Sequence, residues 1–377
     1  MKPAKWIFFS ALAPFRGGIA QFSELLLAAL SRKKQLESFT FRKQYPNFLF
    51  PGSSQIDAAA HDTHRRIVST FRPWTYFSAA WRLRRENAAV FVTSYWMSFF
   101  SPMMCIWAKL LGKSTLKIAI VHNLKPHESR FFDLLFNRWF VLNYDAFVVL
   151  SAAVAADIRA IRPTANVLQL SHPPYAQFGP LQERQSAQLE LGLDPQKKTL
   201  LFFGLIRSYK GLLPLLEAFR FLDTRFQLLV VGEFYEETAP YEAAFAALDA
   251  SRVLRVHRYV NDSEIPRYFA ATDLVLLPYI SATQSGIRAI AQAYQRPVLC
   301  SAVGGLSEGL EESQEGFVAT DLTPNALAEQ IASLFESGRL DAVNNTLRAR
   351  YAKPEQAWDQ FADAFIAFTE CLPSKKD

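Results

Sequence analysis

Thr199-Leu200-Leu201-Phe202-Phe203-Gly204-Leu205-Ile206-Arg207-Ser208-Tyr209-Lys210-Gly211 reads as a buried strand, a glycine turn and the approach to a helix. The run 199–203 is apolar and too short for a helix, which suits a strand covered on both faces. Gly204 then breaks the run where the chain must turn. Leu212–Phe221 follows with apolar residues at helical spacing. Strand, turn and helix in that order are the unit of a parallel α/β domain.

The unit recurs on both sides. Downstream, strands are expected at Phe226–Val231, Val253–Val256, Asp273–Leu277, Pro297–Cys300 and Gly316–Ala319. Helices are expected at Tyr241–Leu248, Ser263–Ala270, Ser285–Tyr294 and Pro324–Ser337, the last capped by the Thr323 hydroxyl ahead of proline. Upstream, strands fall near Trp6–Ser10, Phe39–Arg42, Ala88–Thr93, Leu116–Val121, Ala146–Leu150 and Val167–Leu170. Helices fall at Gly18–Ser31, Tyr76–Glu86, Phe99–Leu111, Phe131–Asn143 and Ala152–Ile161. Between the halves, His172-Pro-Pro-Tyr-Ala-Gln-Phe-Gly-Pro180 admits nothing regular and marks a linker. The expected division is therefore an N-terminal domain over 1–172, a linker over 173–182 and a second domain over 183–353. A last helix and tail occupy 354–377, with Trp358, Phe361, Phe365 and Phe368 at helical spacing.

Length and composition agree with this plan. The chain has 377 residues, of which 50% are hydrophobic and 20% charged, enough for two cores and incompatible with disorder or low complexity. The net charge of +6 suits an anionic partner: nucleic acid, a phosphorylated small molecule or an acidic membrane. Nucleic acid comes last, because the excess is small for this length and no binding motif accompanies it. Cys105, Cys300 and Cys371 lie far apart among apolar neighbours, which argues for three buried thiols in a reducing, cytoplasmic setting. Lys2 and Lys5 before the apolar run 6–13 resemble a signal peptide, yet the following glycine turn and helix favour a first strand. The uncharged stretch 87–108 is long enough to span a bilayer but contains Pro102 and several hydroxyls, and divides more naturally into a strand and a core helix.

Ligands of open parallel sheets bind beyond the C-terminal ends of the strands, so the turns there hold the candidate site. Phe15-Arg16-Gly17-Gly18 follows the first strand, and paired glycines before a helix let the backbone approach an anion such as a diphosphate. A tight turn with no ligand explains the same glycines. Arg207 and Lys210 offer a forked donor beside a point charge, suited to a leaving diphosphate whose charge grows as its bond to a sugar breaks. Ser281-Ala-Thr-Gln284-Ser285-Gly286 opens a third turn, with Gln292 just over two helical turns further on; both amides suit sugar and ribose hydroxyls. Val303-Gly304-Gly305-Leu-Ser-Glu308 adds a carboxylate near the same mouth. No Asp-x-Asp pair that would hold a divalent metal is present.

At these residues the sequence resembles the family 4 glycosyltransferases of the GT-B fold, also called glycosyl transferases group 1. The resemblance rests on A-P-F-R-G-G-I-A-Q-F at 13–22, V-H-N-L-K-P-H-E at 121–128, F-F-G-L-I-R-S-Y-K-G-L at 202–212, L-V-V-G-E-F-Y at 229–235 and S-A-T-Q-S-G-I at 281–287. It implies two doubly wound, Rossmann-like domains facing across a cleft, with the C-terminal helix returning to the first domain. It implies transfer of a sugar from a nucleotide-diphosphate sugar to a glycan or lipid-linked glycan, with retention of configuration and without a metal or other cofactor. His122, Arg207 and Lys210 are then the catalytic candidates. Gly17, Gly18, Gly204, Glu233, Gln284, Ser285, Gly286 and Gln292 are the donor-binding candidates. Arg16, His127, Glu128 and Glu308 form a second tier on the acceptor side. Taken without the resemblance, His122 is a lone histidine ending a strand, more often structural.

One departure stands out. Where the family has two glutamates flanking seven residues, this chain has Gln284 and Gln292, which carry no charge. A non-catalytic, nucleotide-sugar-binding GT-B subunit of a transferase complex is therefore the competing reading. A sugar-nucleotide epimerase is a third, and lacks identifiable acid/base carboxylates. Residues 61–85 carry six arginines against Asp62 alone, interleaved with Phe71, Trp74, Tyr76, Phe77 and Trp81. Two readings stand side by side: docking of a peripheral protein on the inner, anionic membrane face, or a solvated helix with its aromatics packed inward.

Overall fold

The computed structural model describes residues 4–45, 55–56, 63–125, 131–310 and 314–373. The chain forms two compact units, one of residues 1–172 with 356–377 and one of residues 173–355.

In the first unit the strands are β1 (Trp6–Phe9), β2 (Leu36–Lys43), β3 (Arg65–Ser69), β4 (Val90–Tyr95), β5 (Leu116–Val121), β6 (Ala146–Val149) and β7 (Asn166–Gln169). The helices are α1 (Gly18–Ser31), α2 (Trp74–Arg85), α3 (Ser101–Leu110), α4 (Asp133–Asn143) and α5 (Ala152–Ile161). All strands are parallel, in the order β3-β2-β1-β4-β5-β6-β7. The order reverses at β1, which pairs with β2 on one side and β4 on the other. Right-handed crossovers then put α1 on one face and α2 to α5 on the other. β1 and β4 are buried along their whole length, which is why they read as continuous apolar runs. Aromatic side chains fill much of this core: Phe9 lies 4.8 Å from Phe41 and 4.6 Å from Trp107, and Tyr95 stacks on Phe140 at 3.8 Å.

The second unit has β8 (Lys198–Phe203), β9 (Phe226–Val231), β10 (Val253–Val256), β11 (Leu274–Leu277), β12 (Val298–Ser301) and β13 (Gly316–Ala319). They are also parallel, in the order β10-β9-β8-β11-β12-β13, with the reversal at β8 and β11. Around them run α6 (Arg184–Glu190), α7 (Leu212–Phe219), α8 (Ala239–Ala246), α9 (Ile265–Ala270), α10 (Gly286–Ala293), α11 (Pro324–Glu336) and α12 (Arg339–Arg350). The fold class expected from the sequence is the one observed: two doubly wound parallel sheets with helices on both faces. The last helix, α13 (Gln356–Cys371), returns to the first unit and packs on α1. Trp358 and Phe361 meet Phe22 at 5.2 and 5.8 Å, while Arg32, Lys33 and Lys34 pair with Asp359, Asp363 and Glu370. The packing holds the helix; exposed ion pairs of this kind contribute little each.

The structure departs from the sequence reading at several points. β3 and α6 were not expected. β3 begins with Arg65 and Arg66 because it is an edge strand whose outer residues meet water. α12 was also missed, since it buries only Leu340, Val343 and Leu347. Thr323 occupies the cap position of α11, but its hydroxyl makes no cap bond and its N–H donates to Asp321. Cys105 and Cys300 are buried, whereas Cys371 is exposed near the end of α13. The uncharged stretch 87–108 becomes β4, a short 3-10 turn and α3, and no helix among the described residues is long and apolar enough to cross a membrane. In residues 61–85 the aromatics divide: Tyr76 is buried, while Trp74, Phe77 and Trp81 face solvent.

Candidate functional site

Each sheet has one reversal point, and in such sheets the ligand crevice opens there. In the second unit the point lies between β8 and β11, and the loops leaving these strands are fastened together. The N–H of Ile280 donates to the Tyr209 carbonyl at 2.7 Å. Gly211 sits against the end of β11 with φ of 70°, and a Cβ there would lie 1.9 Å from the Pro278 carbonyl oxygen, so no other residue fits. The loop after β9 joins them, the N–H of Ile206 donating to the Glu233 carbonyl at 2.9 Å. Glu233 thus borders the same mouth.

These fastenings bring three candidates to one point. The Cβ position of Gly204 lies 3.2 Å from Lys210 Nζ and 3.2 Å from the Ile287 side chain in the first turn of α10. The Lys210 ammonium is therefore held beside the N-terminus of α10, whose first N–H groups belong to Gly286 and its neighbours. Ser285, the cap residue, makes no cap bond, and its hydroxyl lies 3.4 Å from Tyr279 Oη. Lys210 is buried, and its ammonium stands 5.4 Å from the Tyr279 ring; the half-buried Arg207 guanidinium stands 5.5 Å from that of Tyr235. Burial, and next the Arg207 charge, lower Lys210 from 10.5 to about 8. No ion pair among the described residues engages Arg207 or Lys210. A buried cation, a second cation and a helix N-terminus together offer the chemistry that a multiply charged anion would meet.

Gln284, half-buried, lies in the loop ahead of α10. The turn containing Gly304 packs against the same loop, with the Cβ position of Gly304 only 1.8 Å from the Ala282 carbonyl oxygen. Glu308 is exposed, and its carbonyl and that of Leu306 accept from the Arg288 guanidinium on α10, each at 2.9 Å.

Gln292 carries a partner that the sequence does not announce. Its amide donates to the buried carboxylate of Glu315 at 2.6 Å. Tyr351 donates its hydroxyl to that carboxylate at 2.9 Å, Arg350 pairs with it at 3.0 Å, and Arg288 stands 4.0 Å away. The negative charge missing from position 292 is present one side chain further on. Residues 288, 292, 315 and 350 meet through long-range packing, so no local spacing reveals the group.

In the first unit, Gly17 and Gly18 open α1 after β1, at the other reversal point. Gly17 has φ of 107°, which requires glycine, whereas a Cβ at Gly18 would meet nothing within 4 Å. Nothing in the protein demands glycine at 18. Gly18→Ala should therefore leave the melting temperature within a few degrees of wild type (a change of about 1 kcal/mol or less) while weakening donor-dependent turnover if a ligand lies against that backbone; paired melting and kinetic measurements check this. Arg16 adjoins the turn, its N–H donating to the Gln55 carbonyl at 3.2 Å.

His122 ends β5, its N–H bonded to the Tyr95 carbonyl at 2.8 Å. It is not a lone histidine. Phe22 packs edge-on against His122 at 4.8 Å and against His172 at 5.2 Å, with Trp358 closing the group. Burial, and next His172, push His122 down to about 3, so the imidazole is neutral near pH 7. His127 and Glu128 lie outside the described residues.

Comparison with known proteins fits this construction. Residues 197–337 match the model of the family described as glycosyl transferases group 1. A GDP-mannose:glycolipid 4-beta-D-mannosyltransferase of Xanthomonas campestris pv. campestris is 30% identical over 203 residues, 51% of this chain and 51% of its own. A D-inositol 3-phosphate glycosyltransferase of Segniliparus rotundus is 28% identical over 206 residues, 52% of this chain and 45% of its own. The chain thus spans about half the length of the curated relatives it matches. Among solved structures, sucrose-phosphate synthase from Thermosynechococcus elongatus superposes with a TM-score of 0.73 at 17% identity, over 97% of this chain and 98% of that one. Anabaena HepE in complex with UDP and glucose gives 0.72 at 16%, over 97% and 99%. These likenesses concern the fold, which is GT-B. The match to the glycosyl transferases group 1 covers residues 197–337, a little over a third of the chain.

Proposed function

We propose that the protein transfers a sugar from a nucleotide-diphosphate sugar to a glycan or lipid-linked glycan acceptor. One observation carries this reading: the convergence of Gly204, buried Lys210 and the start of α10 on one point, with Arg207 beside them. The bond from the anomeric carbon to the diphosphate oxygen breaks, an acceptor hydroxyl oxygen takes its place, and the acceptor proton leaves with the phosphate. Lys210, Arg207 and the α10 N–H groups meet the charge that grows on the leaving oxygen. With that charge met by the protein, turnover is expected to persist in excess chelator, and with retained configuration as in the resembling family. Gln284 and Gln292 bond sugar and ribose hydroxyls, and Glu233, Ser285 and Gly286 line the donor, while Gly17, Gly18 and neutral His122 are the candidates in the first unit. Arg16 and Glu308 serve the acceptor side. A cytoplasmic setting supplies such donors.

The glycolipid and inositol phosphate acceptors in the relatives' names make a lipid-linked or phosphorylated acceptor the first to try. Thermal stabilisation by a panel of nucleotide-sugars, followed by nucleoside diphosphate release with acceptor extract, tests the reading. Stabilisation by one donor with release is expected. The two glutamines favour a second reading, a donor-binding subunit without activity; stabilisation without release establishes that instead, and no stabilisation by any donor overturns both.

A further inference from the structure

On α2 three large aromatic side chains point to water: Trp74, Phe77 and Trp81 are 68%, 58% and 62% exposed. They fall at i, i+3 and i+7, one stripe along the helix. Tyr76, Ala79, Ala80 and Leu83 on the other side already enter the core, so the stripe is surplus to folding. Phe71, one turn earlier, is exposed as well. Cations cover this stripe. Arg85 lies 4.4 Å from the Trp81 ring, and Lys43 and Arg72 lie 5.3 and 5.8 Å from that of Phe71. α2 ends in Arg82, Arg84 and Arg85 and has no acidic residue.

A second apolar stripe runs nearby. On α4, Leu134, Leu135, Trp139 and Leu142 are exposed, while Asn137, Phe140 and Val141 face inward. α3 packs against both α2 and α4, so all three belong to one helical layer of the first sheet. At the end of α3, Lys109 lies 5.7 Å from the Trp139 ring, and Arg84 of α2 donates to the Leu110 carbonyl. The single acid of α4, Asp133, is buried and accepts from Ser98.

The chemistry of this face selects its occupant. The core of a protein interface is depleted in charge, whereas arginines and lysines here lie over the exposed rings. Tryptophans with guanidinium groups beside them suit a headgroup region, where rings lie at the acyl boundary and cations meet phosphate. We propose that the outer faces of α2 and α4 form a docking surface for an anionic lipid bilayer, α2 lying along the membrane plane. The surface does not depend on the donor site, so either reading stands or falls alone.

The test is co-sedimentation of the full chain with vesicles of phosphatidylcholine, with and without phosphatidylglycerol. The wild type is expected to bind the anionic vesicles strongly and the neutral ones weakly. Trp74→Ser/Phe77→Ser/Trp81→Ser and, separately, Leu134→Gln/Leu142→Gln should each weaken binding by about tenfold or more. Arg82→Gln/Arg85→Gln should remove the preference for anionic lipid, each variant keeping the wild-type melting temperature. No binding of the wild type to either vesicle, or undiminished binding by the folded aromatic variant, overturns the proposal. So does a wild-type dimer in sedimentation velocity that the aromatic variant disperses without vesicle binding, which would assign the face to a second copy of the chain.

Discussion

Lys210→Met should raise the melting temperature of the free protein by several degrees and abolish its stabilisation by nucleoside diphosphates. Lys210 is buried with no ion pair among the described residues, and its value of about 8, against 10.5 for an ordinary lysine, reflects the cost of burying its charge. That difference corresponds to on the order of 3 kcal/mol at neutral pH. Between about 8 and 10.5 the unfolded chain holds a proton that the folded chain has released, so free-protein stability should rise with pH through that window. A bound diphosphate reverses the balance by stabilising the ammonium. Its affinity should be flat below pH 8 and fall by up to about tenfold per unit above it, and the methionine variant should lose this dependence. In catalysis, Lys210→Ala and Arg207→Ala should each cost on the order of 100-fold in rate, the usual effect of losing one donor to a transition-state anion. Near-normal rates in both would remove the clamp.

Gln292→Glu should destabilise the second domain by about 2 kcal/mol at neutral pH, although it restores the residue common in the family. The amide of Gln292 lies 2.6 Å from a buried carboxylate oxygen of Glu315, and a second carboxylate there repels it. Arg350 and Arg288 offset part of the repulsion, which keeps the cost below that of an unpaired buried charge. In the variant the carboxyl pair holds one proton more strongly than in the unfolded chain. Stability should therefore be present at low pH and lost as pH rises through the raised value. Gln292→Glu/Glu315→Gln, which exchanges charge and amide, should recover most of the loss in a double-mutant cycle. Purely additive effects from thermal or urea melts would show that the two side chains do not act together.

The sequence made the alternation of strands and helices legible because both sheets are parallel and buried on both faces, as in β8 and β9. Edge and surface elements escaped it. β3 opens on two arginines, and α12 buries one residue in four, so neither carries a strong apolar period. In the second domain, the turn holding Gly204, Arg207 and Lys210 was legible from local order alone. The Glu315 group was not, since its members come from α10, β13's approach and α12. Nor was the packing of His172 beside His122, which depends on Phe22 and on a helix arriving from the end of the chain. The outward stripe on α2 was visible as aromatics among arginines, but which way they faced required the sheet order to be known.

The most direct test of the donor site is an NMR titration of the Lys210 side chain, with and without a nucleoside diphosphate. The account predicts a midpoint near 8 in the free protein, moving upward by at least about one unit when the diphosphate binds. A midpoint that stays in place while the ligand is bound would contradict it, because the diphosphate would then lie away from Lys210.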